Sequence, residues 1–455
     1  MELSNRQSIV LFFSFIVVLA LLGVFSTKVG FHDSGEYITV ARALAGYDNI
    51  DLFVGHSIVY PAYISIFINL FPSLLIIRLI NISWIILIAL LLLYYTKSKK
   101  SLLIFMFSPI VWYVGIQTTP VLPASFFFLL SYLLFNDENL KYNKLLSGLF
   151  LGISCAIYNP MILIAFYFTI IYFWNEKISS FVKFVIPLLV GFSLSLLLDF
   201  YYFGMPFYTM IRYIGANLLI TIGLRTNHGI FQSFSNPETL LLLVFISPLL
   251  YKIYKIDYQK YKKEIILILL ILLTFYLRES LIKYALIVAP LIIIFLSKIF
   301  NREDIKKHIL ISSIIIIFIL FNFVSYEKDK NVETDLKNII LDYNSSTIVG
   351  EPYAAAYFAE FIWQNEPRFE WYEVYSAQMN NKSSFKEYNI HLDKSKLPLR
   401  DKLFLNVDFS IKPKNYSSVL YVSTKNESVE GFKLDKCYTN VCVYTKDDFN
   451  NSSSA

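Results

Sequence analysis

Long apolar runs separated by short polar stretches fill most of the chain up to residue 325. Several of these runs approach or exceed the ~20 residues that an α-helix needs to cross a bilayer. The runs that qualify as candidate spans are 8–27, 73–95, 102–117, 119–135, 145–158, 160–174, 181–203, 239–254, 264–277, 281–298 and 309–325. This pattern predicts an α-helical polytopic membrane protein with about eleven transmembrane helices.

A further apolar piece, 57–71, decides the predicted topology. If it counts as a span and the N-terminus is inside, the lysine-rich segments between the later spans fall outside the cytoplasm, against the positive-inside rule. If it is a short juxtamembrane or re-entrant segment, all of those segments fall on one side, which the positive-inside rule assigns to the cytoplasm. The segments are 97–100, 141–144, 177–183, 252–263 and 298–307. The second topology places the first loop, 28–57, and a second loop, 204–238, outside the cytoplasm.

The composition agrees with a membrane protein, because 56% of the residues are hydrophobic and 16% are charged, whereas soluble domains carry about 25% charged residues. The net charge of +6 is therefore informative about orientation, and no basic stripe or motif for nucleic acid accompanies it. We expect membrane lipids, and no nucleic acid, as partners.

Residues 326–455 differ from the rest of the chain, since they are polar and mixed in composition. The stretch 347–363 predicts a strand, a turn and a helix. The stretches 418–423 and 432–445 predict a strand and a hairpin. Together they predict a small extracytoplasmic α/β domain, which follows a transmembrane domain over residues 1–325.

The three cysteines are of two kinds. Cys155 lies in an apolar run, where a thiol packs as a small apolar group. Cys437 and Cys442 lie close together in the predicted hairpin. If this end of the chain lies outside the cytosol, where disulfides persist, we expect Cys437 and Cys442 to pair.

The first polar loop, 28–57, holds the main candidates for chemistry. Asp33 and Glu36 are three residues apart in HDSGEY, so a helix that began here would carry both on one face. In one interpretation Asp33 caps a surface helix whose positive end favours Glu36. In the other, Asp33 is a general base whose pKa depends on burial and on neighbouring charges. His56 begins HSIVYP, where the chain returns to apolar surroundings.

A metal site in the same loop is a less favoured alternative. His32, Asp33 and Asp51 carry suitable ligand atoms, but their spacing matches no recognised metal motif. The chain also lacks a P-loop, a GxGxxG motif and a D-x-D motif, so nucleotide-dependent chemistry is not indicated. We therefore expect no cofactor, with a divalent metal as the open alternative.

Cations near the predicted external ends of later spans indicate an anionic ligand. Arg225 and His228 lie in the second external loop, 204–238, while Arg278 and Lys283 flank the turn RESLIK. A single cation at a span end commonly reaches the lipid headgroups. As a group, these side chains are suited to bind a lipid-linked phosphate through charge-assisted hydrogen bonds.

These features resemble the GT-C class of polytopic glycosyltransferases, which take sugars from polyprenyl-phosphate carriers. The first loop reads HDSGEYITVARALAG and then HSIVYP. It is similar to the D-S-G-E…H-P-P-G-Y-P motif of one branch, and to D-E-x-x-Y…H-P-P in protein O-mannosyltransferases and aminoarabinose transferases. Three later stretches of this chain resemble segments of the family: SGLFLGISCAIYNP, LDFYYFGMPFYT and IKYALIVAPLIIIF. The resemblance covers about residues 1–325 and implies a GT-C-like fold.

The resemblance also implies roles for individual residues. Asp33 matches the catalytic acid of the class, and Glu36 and Tyr37 match its partners. His56 and Tyr60 match the histidine and tyrosine in the second part of the motif.

The chain departs from the family pattern in two regions. Ser57, Ile58 and Val59 replace P-P-G in the first loop. Further along, Asn159 stands where arginine is usual, and Lys283 replaces the arginine before Tyr284. These departures concern the shape of the loop and the phosphate contacts, and they leave Asp33 in place.

From the resemblance we expect an integral membrane glycosyltransferase in the plasma membrane of a prokaryote, or in the ER membrane of a eukaryote. Asp33 would accept the proton of an attacking hydroxyl on the extracytoplasmic face, with inversion at the anomeric carbon. The donor would be a hexose such as mannose on a polyprenyl or dolichol phosphate, and the acceptor a protein or a lipid-linked glycan. The expected substrate-binding residues are Tyr37, His56, Tyr60, Arg225, His228, Arg278 and Lys283.

Two other functions stay open on the sequence. An oligosaccharyltransferase-like enzyme would move a whole glycan, but the chain has no W-W-D-x-G motif and its external domain is small. A lipid or solute transporter would be expected to carry charges inside its spans. Asp199 is the one clear acidic candidate there, and no pair of Gly- or Pro-broken spans repeats in two halves.

Overall fold

The chain divides into two compact units, which we call unit 1 and unit 2. The computed structural model describes residues 5–25, 34–45, 56–71, 74–115, 117–174, 177–211, 213, 247, 258–278, 282–324, 334–335, 338–339, 341–343, 347–350, 369–370, 419–423, 432–439 and 441–446. Unit 1 comprises Met1–Ser26, Arg78–Pro206 and His228–Val324, and unit 2 comprises Thr27–Ile77, Phe207–Asn227 and Ser325–Ala455.

The described residues form thirteen α-helices, most of them apolar. They are α1 (Asn5–Phe25), α2 (Ser34–Leu44), α3 (Val59–Leu70), α4 (Leu74–Thr96), α5 (Lys99–Met106), α6 (Pro109–Val114), α7 (Val121–Phe135), α8 (Asn143–Ile157), α9 (Met161–Phe173), α10 (Ile178–Phe203), α11 (Tyr258–Arg278), α12 (Ile282–Ile299) and α13 (Arg302–Val324). In unit 1, α8 packs on α7 and α10, and α12 contacts α5, α6, α7 and α11. Of the predicted span 239–254, residue 247 alone is among the described residues.

Long apolar helices with apolar exteriors confirm the polytopic α-helical membrane class. Within the described residues, three helical stretches are long and apolar enough to cross a bilayer: Arg6–Val24, Leu75–Thr96 and Ile178–Phe203. On α10, Leu197 is 64% exposed and Phe200 is 60% exposed. Because contiguous apolar surface of this kind is rare on a soluble monomer, we interpret the exterior of α10 as facing lipid.

The apolar piece 57–71 forms α3, which has 12 residues. At 1.5 Å per residue such a helix is about 18 Å long, too short for the ~30 Å hydrocarbon core. It belongs to unit 2 and packs against α2. Whether 57–71 spans the membrane or is juxtamembrane or re-entrant stays a prediction.

The lysine-rich segments of unit 1 meet at one end of its helices, which we call the basic end. The joining contacts are Lys100 Nζ to the Phe300 carbonyl (3.1 Å), Lys298 Nζ to the Tyr261 hydroxyl (3.2 Å), Lys263 Nζ to the Tyr172 ring (5.3 Å) and Lys144 Nζ to the Phe173 ring (5.8 Å). Helix α8 leads away from this end and α12 leads towards it. Residues 158–160 and 282–284 therefore lie at the opposite end of unit 1.

Glycine allows α8 and α10 to approach each other closely. A Cβ atom on Gly148 would lie 2.1 Å from the Phe184 carbonyl oxygen, and one on Gly152 would lie 2.0 Å from the Leu188 carbonyl oxygen. Real side chains do not tolerate such distances, so both positions require glycine. Small residues spaced four apart are the usual means by which membrane helices bring their backbones together.

Helix α12 is the most completely buried helix of unit 1, and it contains Pro290. A proline has no N–H, so it leaves the carbonyl four residues earlier without its helical partner. That carbonyl belongs to Leu286, and it accepts a hydrogen bond from Ser125 Oγ of α7 at 3.0 Å. The neighbouring helix thus satisfies the polar group that Pro290 releases.

The predicted span 102–117 is not one continuous helix, because it breaks at Phe107 and Ser108 into α5 and α6. Pro109 occupies the first turn of α6, where its missing N–H costs nothing. The carbonyl of Met106 accepts a hydrogen bond from the Trp112 indole Nε1 at 2.6 Å. The indole of Trp112 thus satisfies one of the carbonyls at the break.

The C-terminal residues of unit 2 form a five-stranded sheet with the order β2-β1-β3-β5-β4. Its strands are β1 (Thr347–Gly350), β2 (Phe369–Glu370), β3 (Val419–Ser423), β4 (Phe432–Cys437) and β5 (Cys442–Lys446). Strand β1 is parallel to β2 and β3, whereas β5 is antiparallel to β3 and β4. The predicted strand and hairpin near the C-terminus are confirmed, and residues 351–363 lie outside the described residues.

The β4–β5 hairpin is fastened at its turn and along its edge. Cys437 and Cys442 are partners in the register and form a disulfide, with their Cα atoms 4.0 Å apart. Asp342 accepts hydrogen bonds from the Tyr438 hydroxyl and, at 3.0 Å, from Lys436 Nζ. The Tyr438 hydroxyl, and after it the Lys436 ammonium, lower the pKa of the Asp342 carboxyl. These bonds attach residues 341–343 to the hairpin.

Candidate active site

One aromatic group joins α2 to the start of α3 and contains three of the residues that the resemblance singles out. Tyr37 lies in the first turn of α2 and is 2% exposed. Its ring centroid is 5.3 Å from that of His56 and 5.5 Å from that of Tyr60, and both contacts are of the favourable edge-on kind. His56 also lies 6.1 Å from the Tyr213 ring. We call Tyr37, His56, Tyr60 and Tyr213 the Tyr37 cluster.

The HSIVYP sequence explains how His56 comes to lie in this cluster. Ser57 Oγ accepts a hydrogen bond from the Val59 N–H at 3.2 Å, at the start of α3. Tyr60 and Pro61 are buried in the first turn of the helix, where a proline displaces no helical hydrogen bond. The serine that replaces the family's proline therefore starts the helix by a hydrogen bond, and His56 lies immediately before it.

Helix α2 begins at Ser34, within HDSGEY. Glu36 lies in its first turn, but its side chain lies outside what the structure describes. The residues His32, Asp33 and Asp51 also lie outside the described residues. Both interpretations of Asp33, as a cap and as a base, therefore stay predictions, and so does the metal alternative.

A second group, in unit 1, lies at the end opposite the basic end. Tyr158 follows α8, and Tyr284 lies in the first turn of α12; their rings stack with centroids 6.1 Å apart. Lys283 Nζ lies 5.5 Å from the centroid of the Tyr284 ring. Asn159 follows Tyr158, and Lys283 and Asn159 are each 3% exposed. We call Tyr158, Asn159, Lys283 and Tyr284 the Tyr284 cluster.

The burial of Lys283 differs from the expectation of a headgroup-facing cation. A side chain that extends to lipid headgroups is largely exposed, whereas this one is nearly enclosed. A buried ammonium is costly unless acceptors or an anion surround it.

The remaining predicted cations and the predicted metal ligands receive no structural test. Arg225 and His228 lie outside the described residues, as does the side chain of Arg278. Among the residues that are described, no three histidine, cysteine, aspartate or glutamate side chains come together as a metal site.

Arg78 is a buried cation that hydropathy alone does not single out. It lies in α4 and is 3% exposed, and its Nη1 donates to the Gly23 carbonyl at 2.8 Å, in the last turn of α1. A cation at this position satisfies a free carbonyl and complements the negative end of the helix dipole. The available signal was an arginine one turn inside an apolar span, which is rare without a partner.

Glu264 corrects the expectation that Asp199 is the one clear acid within a span. Helix α11 begins at Tyr258, before the predicted start at 264, and has a kink at Tyr261, so Glu264 lies in the first turn after the kink and is 9% exposed. It accepts a hydrogen bond from the Tyr132 hydroxyl at 3.3 Å. Asp199, near the end of α10, is completely buried. Both acids are thus enclosed within unit 1.

Comparison with known proteins finds likeness in structure and none in sequence. No family model and no curated protein matches the chain. The crystal structure of ArnT from Cupriavidus metallidurans bound to undecaprenyl phosphate is similar, with a TM-score of 0.57 and 11% sequence identity over 98% of this chain and 99% of that chain. The apo structure of the same protein is similar with a TM-score of 0.63 and 9% identity, over 96% of this chain and 97% of that one.

The likeness extends over nearly the whole of both chains, so it concerns the complete architecture and not one shared motif. At such low identity it establishes the fold. The chain therefore has the ArnT fold, and the expected GT-C-like architecture is confirmed.

Proposed function

We propose that this chain is an integral membrane glycosyltransferase that takes a sugar from a polyprenyl-phosphate carrier. The observation that carries the proposal is the fold that it shares, over 98% of its length, with a protein whose structure contains undecaprenyl phosphate. A membrane fold can present the phosphate of a lipid at the bilayer surface while the isoprenoid tail stays in the hydrocarbon. The motif in the first loop gives independent support from the sequence.

Asp33 is the general base of the proposed reaction. It accepts the proton of an acceptor hydroxyl, whose oxygen forms a bond to the anomeric carbon while the bond from that carbon to the phosphate oxygen breaks. The phosphate departs as an anion, so no general acid is required. A single in-line displacement inverts the anomeric configuration. Glu36 assists Asp33, as its place in the motif implies.

Positive charge at the departing phosphate supplies the second part of the mechanism. Fixed cations and dipoles directed at developing charge usually contribute most to catalysis. In this proposal the cations are Arg225, Arg278 and Lys283, with His228 as a further ligand. The burial of Lys283 supports its part, since an enclosed ammonium interacts with an anion more strongly than one in water.

The Tyr37 cluster joins α2, within the first loop, to the start of α3. Tyr37, His56 and Tyr60 are held by edge-on ring contacts, and we propose that they contact the substrate on the extracytoplasmic face. A hexose such as mannose is the proposed sugar, and a protein or a lipid-linked glycan is the proposed acceptor.

The proposal is tested with purified protein in lipid vesicles and a membrane extract as acceptor. Undecaprenyl phosphates that carry radiolabelled mannose, glucose or aminoarabinose serve as donors. The wild type is compared with Asp33→Asn and with a matched control, Asp342→Asn, which removes an exposed carboxylate beside the C-terminal sheet. Each protein is assayed with and without a chelator.

We expect transfer from at least one donor, a loss of at least a hundredfold in Asp33→Asn, and near-normal transfer in Asp342→Asn. Unchanged transfer by Asp33→Asn would refute the role of the base. Loss of transfer with chelator would replace the metal-free mechanism by a metal site in the first loop. A folded wild type that transfers from none of the donors would contradict the proposed function and direct attention to transport.

A further inference from the structure

Asn159 is an unusual residue in the described part of the protein, because its buried side-chain amide makes no hydrogen bond. The side chain is 3% exposed, and neither Nδ2 nor Oδ1 has a hydrogen-bond partner. Buried polar atoms are almost always paired, since an unpaired one forfeits its bonds to water. The amide of Asn81, which is also buried, follows the rule and donates to the Gln117 carbonyl.

The local fold gives no reason for an asparagine at position 159. The backbone carbonyl of Asn159 accepts from the Ile162 N–H at 3.1 Å, which continues the start of α9. No side chain caps α9, whose flanking residue is Pro160. An apolar residue of the same size would therefore serve the fold equally well, or better. A buried amide without hydrogen bonds lowers the stability of the fold, so its presence here indicates a partner outside the chain.

The neighbours of Asn159 indicate where such a partner would lie. Tyr158, the preceding residue, stacks on Tyr284, and Lys283 is the residue before Tyr284. The four residues of the Tyr284 cluster lie at the end of unit 1 opposite the basic end. An aromatic pair, a cation and an amide are the groups that recognise a sugar linked to a phosphate.

The chemistry of the amide selects between the two parts of such a ligand. An amide offers both donors and an acceptor, whereas a phosphate oxygen only accepts. Phosphate would therefore satisfy Nδ2 and leave Oδ1 unpaired. A sugar hydroxyl both donates and accepts, so one hydroxyl or a neighbouring pair satisfies both atoms. The phosphate is better matched by the Lys283 ammonium.

We infer that Asn159 binds a hydroxyl of the donor sugar and so helps to determine which sugar is accepted. The inference rests on the proposed function and adds to it a residue that recognises the sugar. This residue is distinct from those that bind the phosphate. It also gives a physical reason for a neutral side chain at this position, because a second cation beside Lys283 would favour phosphate over hydroxyl.

The test compares Asn159→Leu with Asn81→Leu, which removes an amide that is paired within the protein. Thermal unfolding of each variant in detergent is measured alone, with undecaprenyl phosphate, and with undecaprenyl-phosphate mannose, glucose or aminoarabinose. Asn159→Ala is a second variant that adds no atoms. The KM for the sugar donor and kcat are measured for all variants that retain transfer.

Without ligand, we expect Asn159→Leu to melt at or above the temperature of the wild type, and Asn81→Leu to melt below it. Undecaprenyl phosphate should stabilise the wild type and Asn159→Leu equally. The sugar-bearing carrier should stabilise the wild type further, but not Asn159→Leu, and the KM for it should rise roughly tenfold.

Two results would overturn the inference while the proposed function stands. In the first, Asn159→Leu unfolds as easily as Asn81→Leu, which would make the amide structural. In the second, both Asn159 variants keep the full response to the sugar. A wild type that responds to neither carrier would overturn the proposed function as well, and the carrier without sugar makes the two failures distinguishable.

Discussion

Ser125 makes a hydrogen bond that α12 cannot make for itself. Its hydroxyl donates to the Leu286 carbonyl, which Pro290 leaves without a helical partner. Replacement by alanine would leave that carbonyl unpaired in the most buried helix of unit 1. We expect Ser125→Ala to lower the free energy of unfolding by about 1 kcal/mol, measured by SDS-induced unfolding in mixed micelles.

Two further variants test whether Pro290 is the reason that the Leu286 carbonyl depends on Ser125. Ser193→Ala is the matched control, because the Ser193 hydroxyl is exposed and bonds within its own helix to the Val190 carbonyl. It should change the free energy of unfolding little. Pro290→Ala restores an N–H for the Leu286 carbonyl, so Ser125→Ala should cost less in that background. An equal cost in both backgrounds would contradict this account of the bond.

At the same scale, Lys283 and Asn159 show what a sequence can and cannot reveal about a site. The cation before Tyr284 is recognisable from the motif, as is the unusual asparagine. Their common surroundings cannot be recognised from the motif, because Tyr158 and Tyr284 are far apart in the chain and meet only because α8 and α12 both pack on α7. Burial and pairing of polar atoms are properties of the folded state.

At the scale of elements, the close contact of α8 and α10 depends on glycine. A Cβ atom at Gly152 would meet the Leu188 carbonyl oxygen at 2.0 Å and the Phe192 nitrogen at 2.9 Å. Since both are backbone atoms, the helices must move apart. We expect Gly152→Ala to lower the free energy of unfolding by about 2 kcal/mol, measured in the same micelle assay.

Gly23→Ala is the matched control for this prediction. A Cβ atom there would lie 3.6 Å from Arg78 Cβ, an ordinary contact, and Gly23 lies inside α1. Alanine is favoured over glycine in a helix interior by up to about 1 kcal/mol, so this variant should be neutral or more stable. Equal destabilisation by both variants would show that the loss in Gly152→Ala comes from something other than backbone clash.

The sequence predicts most helices of unit 1 because a run of apolar residues is a strong, local signal. It fails where a helix continues through polar residues or breaks inside apolar ones. Helix α11 extends back to Tyr258 through charged residues, with a kink at Tyr261, whereas hydropathy counts these residues as loop. The run 102–117 breaks just before Pro109. Hydropathy does not predict the hydrogen bond from the Trp112 indole to the Met106 carbonyl at this break.

At the scale of the whole molecule, the two units divide the predicted functional residues between them. The Tyr37 cluster belongs to unit 2, together with the C-terminal sheet, and the Tyr284 cluster belongs to unit 1. The first loop and the C-terminal residues thus form one compact unit although they are distant in sequence. That both lie on the same side of the membrane stays a prediction.

The orientation of the chain follows from the basic end of unit 1. Lysine-rich segments are retained in the cytoplasm, so we expect the basic end to face inward and the sheet of unit 2 to face outward. Three single-cysteine variants test this with a membrane-impermeant thiol reagent on intact cells: Lys141→Cys at the basic end, Tyr201→Cys near the end of α10, and Leu341→Cys in unit 2.

The background for this labelling is low, because Cys155 is buried and is replaced by serine, and Cys437 and Cys442 are joined in a disulfide. We expect Tyr201→Cys and Leu341→Cys to react on intact cells, and Lys141→Cys to react only after permeabilisation. The opposite pattern would place the first loop in the cytoplasm, where Asp33 would face soluble nucleotide sugars. A polyprenyl-phosphate donor would then lose its chemical rationale, since such carriers serve to bring sugars to the face that nucleotide sugars do not reach.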